Sequence, residues 1–480
     1  MKRGRFVKLL ILTLASLSGC AVGPDYKAAT APAGAQEPLV SVAPAAETTV
    51  EPPDDWWRLY HDDMLDRLLQ EAFAANTDLR IAAANLTASQ AVLLAARAGR
   101  YPQTQAEVGV TYGRDAITDE ILEIGGHDPE SIWLYEGILG VSYEVDLFGH
   151  VRRSIEAARA DAAAAAAARD TIKITVAAET ARAYAQICAL GEELAVARHS
   201  LDVVTHEAQI TTNRNEAGAG SQFDVVRAEQ LVAQVRASIP PLEGQRRAAL
   251  FGLAAVLGRT PSKAPTNTES CVLPPHLSDV IPVGDGAALL KRRPDVRQAD
   301  RRLAAATARI GVVTADLYPR ITFKGFIGGA SSELNEFATN KGITWGLGPS
   351  VSWTFPNQAG PRARIRQAKA NAVAALAGFD ATVLQALKET EQALAAYRAE
   401  LDRRQALSDA QDRAHTAFEM AHDQFLAGAL SNLDLLTSEQ SLVATDAAVA
   451  SSDAALIQDQ IALFKALGGG WRSMESPVQR

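Results

Sequence analysis

The 480-residue sequence has few aromatic residues, few cysteines and no excess of positive charge. Aromatic residues make up 6% and charged residues 21%, whereas much of the 48% hydrophobic content is alanine, as in Ala162–Ala168. This composition argues against a thick globular core and favours long, closely packed helices. The formal net charge of −9 gives a nucleic-acid partner no electrostatic support, and no basic patch is interleaved with aromatic residues.

The sequence also lacks the common motifs of enzyme active sites. It has no Gly-x-Ser-x-Gly, no His-Glu-x-x-His, no phosphate loop and no Gly-x-Gly-x-x-Gly after a strand. The pairs His199/His206 and His415/His422 recur seven residues apart, without the carboxylate–histidine cluster of a metal site. We therefore expect no enzyme activity, no metal and no other cofactor, and we interpret these histidines as facing solvent or a neighbouring helix.

The cysteines are Cys20, Cys188 and Cys271, and the spacing of the last two matches no metal motif. We interpret Cys188 as a small packing residue of a helix. A disulfide between Cys188 and Cys271 in an oxidising compartment stays open as an alternative.

The N-terminus has the features of a secretory signal. Four basic residues precede a short apolar run, and the run ends in Leu17-Ser18-Gly19-Cys20, which resembles the lipobox of bacterial lipoproteins. That resemblance implies cleavage before Cys20 and lipidation of Cys20, and the alternative is an ordinary signal with an incidental cysteine. Residue 21 is alanine rather than aspartate, so the inner-membrane retention signal of many lipoproteins is missing.

After residue 20 the sequence has no uninterrupted run of 18 apolar residues. We therefore expect no membrane helix in the mature chain. If the chain crosses a bilayer, it must do so with β-strands that close into a barrel.

The chain contains an internal repeat. Asp78-Leu79-Arg80 matches Asp295-Val296-Arg297, and Tyr101-Pro102 reappears at the same offset of 217 residues. Ala217-Gly218-Ala219 and Leu257-Gly258 reappear 210 residues later. Because the register holds over several blocks, we expect two copies of one unit. The predicted divisions are a lipoprotein signal peptide at 1–19, an N-terminal lipidated segment at 20–62, repeats at 63–257 and 285–467, a proline-rich linker at 258–284 and a C-terminal tail at 468–480.

Each copy is predicted to contain the same elements in the same order. A helix of about 30 to 35 residues ends at Tyr-Pro, a β-hairpin follows, and a long and then a shorter helix complete the unit. The predicted helices are Met64–Arg97, Val151–Asn215 and Gln222–Leu257 in the first copy, and Gly286–Asp316, Arg362–His422 and Asn432–Leu467 in the second.

The predicted hairpins pair Gln103–Gly113 with Trp133–Val145, and Ile321–Gly329 with Ile343–Phe355. The second strand of each alternates apolar residues with small or polar ones, and lengths near 10 residues suit tilted transmembrane strands. The alternative is a fragment of a soluble β-sandwich, which four strands beside so many helical residues fit poorly.

The helix lengths predict a tall assembly. The long helices span about 98 and 92 Å, and two shorter helices stacked end to end would match one long helix. Four strands cannot close a membrane barrel, because the smallest barrels have about eight strands. We therefore expect an oligomer, and three copies would supply twelve strands and twelve helical columns.

These features together resemble the outer membrane factor family, the TolC-like efflux lipoproteins of the NodT type. The resemblance rests on the run Cys20–Tyr26, on Trp56-Trp57, and on the Ala-Gly loops followed by Asp-Val-Val-Arg-Ala-Glu and Asp-Leu-Leu-Thr-Ser-Glu. It implies a homotrimer with a 12-stranded β-barrel in the outer membrane and a 12-helix α-barrel in the periplasm. It also implies docking to a periplasmic membrane-fusion adaptor and an inner-membrane pump, which supplies the energy for a passive duct.

By the same resemblance, the loops between long and shorter helices form a periplasmic gate. Asp434 falls on an aspartate-ring position and Asp224 on a partner position of the first copy. Leu430 stands where some members have a linking arginine, and Thr437 stands where a second acidic ring can occur. We therefore expect a weakly ionic gate, closed by Leu430 or Leu433 together with the ring at Asp434.

A purely structural interpretation of the loops is an equal alternative. Ser221-x-x-Asp224 and Ser431-x-x-Asp434 have the pattern of capping boxes. Gly218 and Gly428 are predicted to end the long helices in the left-handed conformation.

The predicted function is an outer-membrane exit duct for small toxic molecules or drugs. A channel for type I protein secretion or for metal-cation efflux is the alternative within the channel class. A passive periplasmic spacer is an alternative outside it, but a spacer would not need amphipathic hairpins.

Overall fold

The computed structural model describes residues 21–41, 46–47, 52–114, 124–126, 131–277, 281–284, 286–337, 339–340 and 342–469; Cys20 lies outside them. The chain is mainly α-helical and carries a four-stranded antiparallel sheet. It divides into two compact units. Unit 1 comprises Met1–Ala29, Leu86–Ala165 and Ala299–Phe379, and unit 2 comprises Thr30–Asn85, Ala166–Gln298 and Asp380–Arg480.

The elements follow the predicted order twice. The helices are α1 (Asp63–Ala75), α2 (Thr77–Ala98), α3 (His150–Glu216), α4 (Gln222–Val256), α5 (Gly286–Arg292), α6 (Pro294–Ala315), α7 (Ala359–Leu426) and α8 (Asn432–Ala466). The strands are β1 (Ala46–Glu47), β2 (Gln103–Gly113), β3 (Ile132–Val145), β4 (Ile281–Pro282), β5 (Arg320–Ser331) and β6 (Ile343–Ser352). The region from 258 to 284 contains only two short 3-10 turns and β4 among its described residues, as its prolines predict.

The first helix of each copy is broken, which corrects the single helices predicted at Met64–Arg97 and Gly286–Asp316. Asn76 ends α1, and its side-chain oxygen accepts hydrogen bonds from the backbone N–H groups of residues 78 and 79, at 2.9 and 3.1 Å. Its side-chain amide donates to the Val256 carbonyl, 2.8 Å away. In the second copy the break is at Arg293, because proline at 294 disfavours a helical residue before it and is favoured at the first position of a new helix.

The long helices are present and slightly longer than predicted. Helix α3 has 67 residues and α7 has 68, so each is about 100 Å long at 1.5 Å per residue. Helices α4 and α8 each have 35 residues, about 52 Å. Alanine and straight-chain residues, which lose little side-chain entropy in a helix, dominate all four.

The four-stranded sheet of unit 1 joins the two hairpins. Its order is β2-β3-β5-β6, and every neighbouring pair is antiparallel. The central pairing places Tyr135 opposite Ser331 and Val145 opposite Ile321. Strand β6 ends at Ser352, not at the predicted Phe355, and the indole N–H of Trp353 donates to the Leu317 carbonyl instead, at 3.0 Å.

This register gathers the apolar side chains on one face of the sheet. Residues directly opposite in neighbouring strands point to the same side, and successive residues of a strand alternate. Following the pairs across the sheet gives one apolar face formed by Val108, Val110, Tyr112, Trp133, Leu139, Val141, Tyr143, Phe323, Ile327, Ile343, Trp345, Leu347 and Val351. Every one of these side chains is exposed in the single chain.

The other face of the sheet is mostly polar or small. It includes Gln105, Glu107, Thr111, Glu136, Ser142, Glu144, Thr322, Lys324, Thr344 and Ser350, with Ile132, Leu134, Ile138 and Phe326 as apolar exceptions. A sheet with one apolar face exposed to its surroundings and one polar face is typical of a wall between lipid and an aqueous lumen.

Two helices are long and apolar enough, by length and composition alone, to cross a membrane: α2 and a window of α7. This measure rests on length and composition alone, so the expectation of no membrane helix after residue 20 stays a prediction. The two windows qualify because alanine counts as apolar in a window average even where polar residues interrupt every apolar run. Both windows are largely exposed within the single chain.

The hydrophobic core of unit 2 assembles around the Trp56-Trp57 pair. The Trp56 ring stacks on Phe464 of α8 with centroids 4.8 Å apart, and both side chains are fully buried. Leu69 of α1, Ile187 of α3 and Leu253 of α4 lie in the same cluster. The segment before α1 therefore belongs to the core and is not a free linker.

The two cysteines left open by the sequence form a disulfide. Cys188 in α3 is fully buried, its Cα lies 4.8 Å from that of Cys271, and the bridge closes a sequence separation of 83 residues. The carbonyl of Cys271 also accepts a hydrogen bond from the Arg246 guanidinium of α4, at 2.7 Å. The disulfide and this hydrogen bond tie the middle of the linker to α3 and α4.

We expect that replacing both Cys188 and Cys271 with alanine lowers the free energy of unfolding by about 2–4 kcal/mol, because a bridge over a long loop restricts the unfolded chain. Thermal unfolding of the wild type and the double variant, each with and without reductant, measures the effect. Reductant should lower the wild-type melting temperature and leave that of the variant unchanged. An equal response of both proteins to reductant would contradict a structural disulfide.

Candidate functional site

The loop after the first long helix begins with a tight C-terminal cap. Gly218 has φ 76°, a left-handed conformation that favours glycine. The backbone N–H of Ala219 donates to the Arg214 carbonyl at 2.8 Å, and that of Gly218 donates to the Asn215 carbonyl at 2.9 Å. The loop therefore satisfies carbonyls that the end of α3 leaves without helical partners.

The second copy repeats this geometry after α7. Gly428 has φ 74°, the N–H of Ala429 donates to the Gln424 carbonyl at 2.8 Å, and that of Gly428 donates to the Phe425 carbonyl at 3.0 Å. The two loops of the repeat thus adopt one backbone conformation.

Serines cap the helices that follow. Ser221 and Ser431 are the N-cap residues of α4 and α8, and each hydroxyl accepts from the backbone N–H three residues later, at 3.2 and 3.3 Å. The same hydroxyls donate to the carboxylates of Asp224 and Asp434, at 2.7 and 2.6 Å. A carboxylate in the first turn also interacts favourably with the helix dipole. Both aspartates therefore have a structural role in capping, whatever else they do.

The gate candidates differ in how far they face outward from the chain. Asp434 and Leu433 are exposed, the latter by 48%, and Asp224 is half-buried. Leu430 is half-buried, because it packs against Ala421 and Phe425 of α7 in the same chain. Of the two predicted apolar closures, Leu433 is the one placed to meet another molecule.

A contact between the C-terminal ends of the two long helices was not predicted. The Arg214 guanidinium lies over the Phe425 ring, 4.3 Å from the centroid, and donates to the Phe425 carbonyl at 2.8 Å. Nearby, the hydroxyl of Thr211 bonds the side-chain oxygen of Asn432 at 3.2 Å. At the 210-residue offset Arg214 corresponds to glutamine and Phe425 to asparagine. The search for matching residues in the two halves therefore missed this contact, and only a difference between the halves could have indicated it.

The lipidation candidate, Cys20, lies outside the described residues, but the segment directly after it is fixed in unit 1. We call this segment, Ala21–Tyr26, the strap. Its Val22 N–H donates to the Phe148 carbonyl at 3.1 Å, next to the start of α3. The Tyr26 hydroxyl bonds Asp300 of α6, and burial, together with this hydrogen bond to a carboxylate, raises the pKa of Tyr26 to about 12.

A buried arginine holds the strap. The side chain of Arg153, 5% exposed, donates to the carbonyls of Val22 and Gly23 at 3.2 and 3.3 Å and to the Asp25 carboxylate at 2.7 Å. Its remaining amino group donates to Glu156 at 2.7 Å. The charge is therefore paired and hydrogen-bonded, as a buried cation requires.

Glycines make room for this arrangement. A Cβ at Gly311, near the C-terminal end of α6, would lie 2.7–2.9 Å from the Cγ, Cδ and Nε atoms of Arg153. A Cβ at Gly23, whose φ is 93°, would collide with the backbone of Gly311. Glycine is unfavourable inside a helix, and at 311 its benefit is the space for the arginine and the strap.

Comparison with known proteins gives the identity that these features suggest. The family model of outer membrane efflux proteins matches residues 68–259 and 287–469, one segment in each half of the chain. The chain belongs to the outer membrane efflux protein family. The resemblance drawn from the sequence is thereby confirmed.

Relatives cover the whole chain. The pyoverdine export outer membrane protein OpmQ of Pseudomonas putida is 29% identical, over 99% of both chains. The toluene efflux pump outer membrane protein TtgC of Pseudomonas putida is 29% identical, over 96% of this chain and 95% of its own. The solved outer-membrane channel OprN is 31% identical, with a TM-score of 0.86 over 94% of this chain and 100% of its own. As an outer membrane efflux protein, the chain is assigned to the outer membrane and has the fold of a channel rather than of an enzyme.

We expect Gly311→Ala to release the strap, because the new methyl group overlaps the Arg153 side chain and overpacking typically costs about 1–3 kcal/mol. Limited proteolysis at neutral pH should then cut residues 21–29 faster than in the wild type. Gly360→Ala in α7 is the matched control, since no atom lies within 4 Å of the Cβ position there. Equal protection of the strap in both variants would contradict this role for Gly311.

Proposed function

We propose that this efflux protein is the exit duct of a tripartite efflux system and carries small toxic molecules across the periplasm and the outer membrane. The observation that carries the proposal is the apolar face of the four-stranded sheet, which is exposed in the single chain although it holds five exposed aromatic rings. Water would disfavour so large an apolar surface, whereas lipid favours it.

The proposed working unit is a homotrimer. Among the described strands of the large sheet, β2 and β6 each pair on one side only, and open edges do not occur in the hydrocarbon core of a membrane. Pairing β6 of one protomer with β2 of the next would close a barrel of twelve strands. Exposed apolar side chains on the helices, such as Val92 and Leu94 of α2 and Val373 of α7, would then be covered by neighbouring copies.

The proposed partners are a periplasmic membrane-fusion adaptor and an inner-membrane pump. The duct itself is passive in this proposal, because the pump supplies the energy. Small organic molecules are the proposed cargo, since the relatives named above are described by pyoverdine export and toluene efflux. Lipidation of Cys20 would add a second anchor beside the sheet, because the strap fixes the next residues at the junction of the hairpin and α3.

The proposed gate is the pair of loops around Gly218 and Gly428. In a trimer the exposed side chains of Leu433 would form an apolar ring and those of Asp434 an acidic ring. Asp224, which belongs to the first half of the internal repeat, would face these rings. Rings of carboxylates select cations, and apolar constrictions close a pore by excluding water.

The duct is tested by a matched pair of substitutions in β2. Val110 lies on the apolar face of the sheet and Thr111 on the polar face, and both are exposed in the single chain. Val110→Arg should cost about 2–4 kcal/mol if that side chain meets the middle of the bilayer, and should abolish detergent-resistant trimers. Thr111→Arg should leave the trimers intact and lower cation selectivity in planar bilayers. Equal tolerance of both arginines would refute the assignment of the faces.

The gate is tested by Asp434→Ala, which should raise single-channel conductance in planar bilayers because the acidic ring is lost. Ser431→Ala is the control, since it removes the helix cap, worth about 1 kcal/mol, but keeps the carboxylate. A rise in conductance with the first variant alone supports the ring. Unchanged conductance, or an equal rise with both variants, would count against it.

A further inference from the structure

Two buried glutamates and a half-buried histidine lie between α3, α7 and α8, close to the proposed gate. Glu207 belongs to α3, His422 to α7 and Glu439 to α8. Glu439 is 1% exposed and Glu207 is 4% exposed, which is unusual for a charged residue type. Glu439 follows the cap residue Ser431 by about two helical turns.

Glu439 has no hydrogen-bond partner for either carboxylate oxygen within the part of the chain that the structure describes. One oxygen of Glu207 is likewise unsatisfied, while the other lies 3.0 Å from Nδ1 of His422. Burying an ionised carboxylate without a partner costs several kcal/mol, so such a group takes up a proton instead. The geometry therefore points to a carboxyl pair that cannot be doubly ionised while the helices are packed.

Among the described residues, none places a cation beside Glu439. Helix α4 contributes the apolar residues Ala228 and Leu231 to the neighbouring cluster, which also contains Leu436 of α8. Arg214 of α3 is engaged with the ring and carbonyl of Phe425. Of the groups facing the pair, Glu207 on α3 repels a charge on Glu439, and His422 on α7 contacts Glu207 and not Glu439.

We propose that Glu207 and Glu439 form a buried proton-binding pair, which holds one proton while α8 is packed on α3 and releases it when the helices separate. In the separation step the carboxylic acid of one glutamate meets water and loses its proton to solvent, leaving two hydrated carboxylates. Because α8 begins at the proposed gate, the consequence for conductance rests on the proposed function, whereas the proton site does not.

The direction of the pH effect follows from the two states. Burial, and then the charge of Glu207, raises the pKa of Glu439 to about 8 in the packed state, while a hydrated glutamate titrates near 4.5. Between these values the packed state binds a proton that the separated state lacks. Separation should therefore become more favourable as pH rises, by up to about tenfold per pH unit.

The internal repeat provides a matched control. At the 210-residue offset Glu439 corresponds to Glu229 of α4, which is exposed, and Glu207 corresponds to an alanine. The pair therefore exists only once in the chain. Glu229→Gln changes the same residue type at the equivalent position of the other copy, without touching a buried carboxyl group.

The experiment is amide hydrogen exchange of the full-length protein in detergent between pH 5 and 8, corrected for the intrinsic pH dependence of exchange. Opening of the segment 431–442 should increase by up to about tenfold per pH unit in the wild type and in Glu229→Gln. Glu439→Gln, which mimics the protonated acid, should remove this dependence. Glu207→Gln should shift it to lower pH, because the neighbouring charge is gone.

An unchanged pH dependence in Glu439→Gln would overturn the proposal, as would its loss in Glu229→Gln. A dependence on sodium, measured against choline at constant ionic strength, would show that the pair binds a metal cation instead of a proton. Conductance recorded on the same samples distinguishes failure of the proposed duct from failure of the proposed proton pair. If hydrogen exchange depends on pH but the protein conducts no ions, the duct alone is refuted. If the protein conducts ions but hydrogen exchange does not depend on pH, the proton pair alone is refuted.

Discussion

The pairing of β3 with β5 is the constraint on which the membrane-facing part of the molecule depends. Each hairpin alone has one apolar and one mostly polar face, but too few strands for independent stability. The antiparallel register between Tyr135–Val145 and Ile321–Ser331 places the apolar positions of both hairpins on one side. A slip of one residue would move every side chain of a hairpin to the other face, so this register is tied to the exposure of one face to lipid.

Two buried ionic arrangements show opposite solutions to the cost of burying a charge. The guanidinium of Arg153 has a partner for each of its nitrogens, two of them backbone carbonyls of the strap, and it thereby holds the strap in place. Glu439 has no hydrogen-bond partner among the described residues, although it is more deeply buried. The first arrangement resembles a structural clamp, and the second resembles a site kept unsatisfied in one state so that a proton can control it.

The repeat explains which parts of the site are duplicated and which are not. Features that follow from local backbone requirements occur twice: the left-handed glycines 218 and 428, the serine caps and the aspartates in the first turn. Features that join the copies occur once, namely the contact of Arg214 with Phe425 and the pair of Glu207 with Glu439. The two halves of the repeat share their internal geometry, whereas a contact between the halves joins two different surfaces. Such contacts therefore use residues at which the two halves differ.

The sequence by itself determined the helices, the strands, the loop caps and the family, because periodicity, proline, glycine and capping patterns act over a few residues. It did not determine the break at Asn76, whose side-chain amide donates to a carbonyl 180 residues away. The Cys188–Cys271 disulfide, the space at Gly311 for Arg153 and the pairing of Glu207 with Glu439 were likewise decided only in the tertiary structure. Each of these depends on which distant helix packs beside the residue, and burial and hydrogen-bond partners are properties of that packing rather than of local sequence.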